Sequence, residues 1–174
     1  MSFGTAGRRI IPPMAKMEGN FLERNLPARA FATLTTWNRV AQCRLDELFF
    51  EWIRGVQAHD RLTLGWIKTI EIGPQPHIHV VLIAIAPLDC VHAAALWRAM
   101  VAPRYSDAAR VEPYRGDLCG LGYVLKRLGS PDVEPQFSDN IRAFVSGSAK
   151  SLFNTNSAQR RHVRRIKAVI VRAS

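Results

Sequence analysis

The chain has 174 residues, 48% of them hydrophobic, which suits one globular domain with a sizeable core and argues against two full domains. Its longest apolar run, His79 to Leu88, falls far short of the ~20 residues a membrane-spanning helix needs, and Met1 to Gly19 lacks the apolar segment of a secretory signal, so no membrane partner is expected. Lysine and arginine outnumber acidic residues by 24 to 14, a net charge of +10, which favours a polyanion such as nucleic acid as partner, met in the cytoplasm, or in the nucleus of a eukaryotic host.

Cys43, Cys90 and Cys119 are isolated, so the sequence predicts free and mostly buried thiols rather than disulfides or a structural zinc site. Residues 1–29 mix Gly, Pro and charge without a sustained period and are expected to form an arm or irregular start. From Ala30 to Trp37, large apolar residues alternate with small or hydroxylated ones, a strand pattern. Val40, Ala41, Leu45, Leu48, Phe49, Trp52 and Ile53 then recur at three and four, predicting a helix with one buried face up to about Val56. Gly55 to Asp60 punctuates, and Arg61 to Ile72 suits a strand. After the turn imposed by Gly73-Pro74-Gln75-Pro76, His77 to Ala86 is apolar enough for a strand covered on both faces. Asp89 can cap a helix from Cys90 to about Met100, Ala108 to Tyr114 alternates as a short strand, and Asp117 can cap a helix reaching Leu128.

The order is βαββαβ with one further helix, which implies an α+β fold with a central antiparallel sheet flanked by helices. The core spans residues 30–128, and 129–174 adds a helix from about Ser138 to Val145 and a tail with Arg160, Arg161, Arg164, Arg165, Lys167 and Arg172.

His77-Ile78-His79 is the most informative triplet. Alternate strand residues point the same way ~7 Å apart, so two imidazoles can converge on one ion. A hairpin closing around residues 72–76 would set Glu71 directly across from His77, β-carbons ~5 Å apart. Two imidazoles and a carboxylate leave coordination positions open, as a catalytic metal requires, and Mg2+ or Mn2+ suits phosphate chemistry. The competing reading of Glu71 is a solvated strand residue paired with Lys68 or Arg61.

Tyr123 and Lys126 stand three apart on the predicted helix, so both can reach one phosphate. A phenol is a poor nucleophile at its free pKa of ~10, and a neighbouring ammonium favours the phenolate. The structural alternative is an amphipathic packing tyrosine beside a solvated lysine. Of the other tyrosines, Tyr105 and Tyr114, Tyr114 is the reserve nucleophile, although its place near a strand end suits packing on the sheet.

Phe31-Ala-Thr-Leu-Thr-Thr, Pro76-His77-Ile-His79-Val-Val-Leu and Gly122-Tyr123-Val-Leu-Lys126-Arg, in this order, resemble the three motifs of rolling-circle replication initiators in the HUH endonuclease superfamily, the single-tyrosine plasmid and small-virus type, over about residues 30–128. Glu71 looks like that family's additional acidic ligand. The resemblance implies an RNA-recognition-like fold in which a tyrosine nicks single-stranded DNA, keeps the 5′ end as a phosphotyrosyl ester and leaves a 3′ hydroxyl that primes replication. The ester stores the bond energy, so a later 3′ hydroxyl can reseal the strand without a nucleotide cofactor. The substrate would be an origin hairpin. No Gly-rich phosphate loop ending Gly-Lys-Ser/Thr is present, so unwinding would fall to a host helicase. Thr33, Thr35, Trp37, Arg115 and Arg127 are candidate DNA contacts, with Trp37 or Trp66 able to stack a base, whereas Trp52 and Trp97 suit the core. Other readings are a relaxase or transposase of the same chemistry, a non-catalytic nucleic-acid-binding module, and a metal-dependent hydrolase using water.

Overall fold

The structure, a computed structural model, describes residues 13–36, 40–71, 76–101, 108–126 and 135–145. In chain order the elements are α1 (Pro13–Glu23), β1 (Ala28–Thr35), α2 (Gln42–Asp60), β2 (Gly65–Glu71), β3 (His77–Ile83), α3 (Cys90–Val101), β4 (Ala109–Pro113), a 3-10 turn (Gly116–Leu118), α4 (Gly120–Val124), β5 (Gln136–Phe137) and α5 (Ile141–Val145). The strands form one sheet in the order β4-β1-β3-β2-β5, with every pairing antiparallel. The chain is thus α+β, as its βαββαβ pattern predicts. Among the described residues no helix is long and apolar enough to cross a membrane.

Strand alternation divides the side chains between two layers. One sheet face carries Ala30, Ala32, Leu34, Trp66, Ile70, Ile78, Val80 and Leu82, packed with Leu45, Phe49, Trp52 and Val56 of α2 and with Ala93 and Trp97 of α3. Two indoles lock this layer with the hydrogen bonds their buried N–H groups require. Trp52 Nε1–H donates to Ala93 O at 2.8 Å, and Trp97 Nε1–H to Thr35 O at 2.8 Å. The opposite face carries Ile67, Val81 and Ile83, covered by Ala15 and Leu22 of α1, Leu121 and Val124 of α4, and Ile141 of α5. The ligand candidates Glu71, His77 and His79 project from this same face, and Tyr123 belongs to α4, which covers part of it among the described residues.

Several sequence expectations are corrected. Residues 13–23 are helical rather than an irregular arm, because Ala15, Glu18, Gly19 and Leu22 share one helical face and are buried. Gly55 does not end α2. Its missing side chain makes room for Leu96, whose Cδ2 would lie 2.5 Å from a Cβ there, and the helix stops instead at Arg61, in the left-handed region with φ 53°. The helix expected over Asp117–Leu128 is broken at Cys119 (φ 52°), so α4 has only five residues, and Asp117 pairs with Arg115 instead of capping it. Asp89 does cap α3, accepting the His92 N–H at 2.9 Å. The expected C-terminal helix begins at Ile141, and the unforeseen β5 precedes it. Cys43 is exposed, and Cys90 and Cys119 are half-buried rather than buried. Trp37, Tyr105, Arg127 and the basic tail lie outside the described residues.

Candidate functional site

Pairing across the sheet sets the site in rows. Glu71 of β2, His77 of β3 and Thr35 of β1 form the first, and Thr69, His79, Thr33 and Arg110 of β4 the second. Ile67, Val81, Phe31 and Glu112 form the third. All project from the face that α1 and α4 partly cover. Ile78, between the histidines, is fully buried on the other face, as a strand's two-residue period demands.

Glu71, His77 and His79 each offer one ligand atom within 4.8 Å of the others, and the group could bind a metal ion. The Glu71 Oε2 atom lies 2.9 Å from His77 Nε2 and 3.5 Å from His79 Nε2, while its Oε1 pairs with the Lys126 ammonium. One carboxylate therefore faces the imidazoles with one oxygen and a cation with the other. Burial alone would raise the Glu71 carboxyl. The Lys126 hydrogen bond and the charges of His79, Lys126 and His77 outweigh it and hold the group at about 2. Burial lowers the His79 imidazole to about 4 despite the pull of Glu71, so at neutral pH it has the uncharged form a metal ligand needs. The His79 Nδ1 atom is 3.1 Å from Thr33 Oγ1, which fixes the ring from behind.

The structure brings Tyr123 to this group. Its hydroxyl is 3.4 Å from His79 Nε2, and the two rings meet edge to face with centroids 4.8 Å apart. Phe31 buttresses both, 6.1 Å from the His79 ring and 6.2 Å from the Tyr123 ring. Lys126 follows α4 in a turn rather than lying on it, yet Lys126 N–H bonds Tyr123 O at 3.2 Å and the ammonium sits 3.8 Å from the centre of the Tyr123 ring. Two catalytic candidates and three ligand candidates thus share one side of the sheet.

The weaker candidates divide. Thr33 contacts His79, Thr35 lies across from His77, and Arg115 is exposed and paired with Asp117 at 2.7 Å. Trp66 does not offer an open face for a base: it is buried and packs edge-on against Phe49 with centroids 5.1 Å apart. Lys68 is no partner for Glu71, because it projects from the opposite face and pairs with Asp46. Tyr114 donates its hydroxyl proton to Glu23 and accepts the Leu121 N–H at 3.1 Å, and burial pushes its phenol pKa far up, so it suits support rather than attack. The sequence reading missed this support and missed α1 beneath it. Arg110 and Glu112 of β4, which the sequence places on one face of the predicted strand without marking them as site residues, also project beside the site.

No protein-family model, curated protein or solved structure matches the chain.

Proposed function

We propose that the protein is a metal-dependent enzyme that nicks and rejoins single-stranded DNA, with Tyr123 as nucleophile, as its ordered resemblance to HUH replication initiators implies. One observation carries this reading: the Tyr123 hydroxyl lies 3.4 Å from His79 Nε2, beside the only group of metal-ligating side chains found among the described residues. A tyrosine placed merely for packing has no need of that position.

Glu71, His77 and His79 would hold Mn2+ or Mg2+, which when bound supplies charge to neutralise a phosphate oxygen. Tyr123 attacks the phosphorus, the bond to the 3′ oxygen breaks, the phenol proton passes to solvent and the departing 3′ oxygen takes up a proton. A 5′-phosphotyrosyl ester and a free 3′ hydroxyl result, and attack by a 3′ hydroxyl reverses the step. Lys126, over the Tyr123 ring, stabilises negative charge on the attacking oxygen. The substrate would be an origin hairpin opened by a host helicase, and a role in DNA mobilisation would use the same chemistry on another strand.

Incubation with Mn2+ and end-labelled single strands able to fold into hairpins should give a protein–DNA adduct that survives denaturation and is lost in Tyr123→Phe. An adduct persisting in that variant would remove Tyr123 from its role. Cleavage to a free 5′ phosphate would indicate attack by water, and salt-sensitive binding without cleavage, indifferent to metal, a non-catalytic module.

A further inference from the structure

Beside Tyr123 a cavity of about 410 Å3 opens over β1 and β4 and runs from His79 past Thr33 to Arg110 and Glu112. Its volume lies within the ~300–1,000 Å3 of sites that enclose small organic groups. Phe31, Tyr114 and Tyr123 give it aromatic walls, and its far end is charged. Gly120 keeps it open, since a Cβ there would lie 2.9 Å from Tyr114 Cε2 and 3.1 Å from Phe31 Cδ2 and would push both rings inward.

We infer that this cavity receives one unpaired guanine base next to the scissile phosphate, two adjacent edges of which are read by Arg110 and Glu112. The inference rests on the nuclease reading above and adds a sequence preference to it. A nucleotide whose phosphate lies at Tyr123 has its base within reach of the cavity, and aromatic walls supply stacking that any base accepts. The charged end discriminates. Arg110 and Glu112 alternate on β4 and therefore project together, with Arg110 Nη2 2.8 Å from Glu112 Oε1, so donor and acceptor stand side by side. Among the four bases guanine alone presents two acceptors, N7 and O6, on its Hoogsteen edge and, continuing round the ring on its Watson–Crick edge, two donors, N1–H and N2–H. The first pair matches a guanidinium and the second a carboxylate. Adenine and cytosine offer the carboxylate only an amino group, and thymine only one imino N–H.

The test uses the full chain carrying Tyr123→Phe, which keeps the ring but cannot cut, with chelator and a short randomised single-stranded DNA pool. Retained strands are sequenced. Guanine should be enriched about tenfold at one position, as one good bidentate contact implies. Glu112→Gln, which keeps the size but not the carboxylate, should abolish most of that preference, and Arg110→Ala should weaken it. Enrichment of no base, of a different base, or of a guanine indifferent to Glu112→Gln would overturn the inference. In parallel, the unmodified protein with Mn2+ should form an adduct on the selected strand beside that guanine. An adduct without base preference overturns the cavity's role alone, whereas a Glu112-dependent guanine preference without any adduct supports that role and overturns the nuclease reading.

Discussion

Gly19 of α1 rests directly on Gly122 of α4: a Cβ at Gly19 would fall 2.6 Å from Gly122 Cα and closer still to its amide nitrogen. The residue before Tyr123 is thus seated on a helix about a hundred positions earlier in the chain. Because backbone meets backbone, no side chain can yield to relieve an added methyl. Gly19→Ala should therefore cost about 1–3 kcal/mol through overpacking. It should also displace Tyr123 and lower the yield of adduct. Chemical denaturation and adduct assays on the same preparation check both effects, and an unchanged yield would show that α1 does not set the tyrosine.

Tyr114 joins α4 to α1 by accepting the Leu121 N–H at 3.1 Å while its hydroxyl is bonded to Glu23, the last residue of α1. Tyr114→Phe leaves that amide and the Glu23 carboxylate short of a partner and should cost about 1–3 kcal/mol. Adduct formation should survive in reduced amount, whereas Tyr123→Phe should abolish it. The reverse pattern would exchange the roles of the two tyrosines.

How much of this was legible in the sequence depends on which signal each residue leaves. Strand period and a short hairpin place Glu71 against His77, and the register pairs them. The same period, applied to Lys68, puts it on the face opposite Glu71, where it pairs with Asp46 and not with Glu71. The face that α1 buries escaped notice because only two of Ala15, Glu18, Gly19 and Leu22 are apolar, and its central contact is made by a residue with no side chain. The break at Cys119 left no signature either, since a positive φ of 52° falls on a cysteine rather than on the glycines at 116 and 120. A helix read straight through from Asp117 put Tyr123 and Lys126 on one helix, and their proximity survives through the turn that follows α4.

Lys68 is fully buried among Phe49, Phe50 and Trp66, 4.2 Å from the centre of the Phe49 ring, with Asp46 as ion-pair partner. Asp46 keeps contact with water, so its loss and that of Lys68 are not equivalent. Asp46→Ala strands a buried ammonium and should cost about 3 kcal/mol, while Lys68→Met should fall within about 1 kcal/mol of the parent. Burial lowers the Lys68 pKa from its ordinary 10.5 against the pull of Asp46. The unfolded chain therefore holds this proton more tightly, and the penalty is fully present at pH below the folded value. It is relieved as pH rises through that value towards 10.5, so the parent should gain stability relative to Lys68→Met in the alkaline range. Urea denaturation of both proteins across that range checks the sign, and a difference independent of pH would contradict it.

The bond between Thr33 Oγ1 and His79 Nδ1, 3.1 Å long, gives the metal proposal a test that leaves all three ligands in place. A ring nitrogen held from behind fixes both the orientation of the imidazole and the availability of its other nitrogen. Thr33→Val keeps the shape of the side chain and removes only the hydroxyl. Titration with Mn2+ followed by calorimetry should show affinity about tenfold weaker in Thr33→Val, at the mild end of what such outer partners contribute. His77→Ala and His79→Ala should lose binding altogether, and Glu71→Gln should weaken it while freeing the Lys126 ammonium from its ion pair. If Mn2+ binding is equal in the parent, His79→Ala and Thr33→Val, the three side chains are an ion-pair cluster rather than a metal centre, and the chemistry assigned to Tyr123 loses its electrophilic partner.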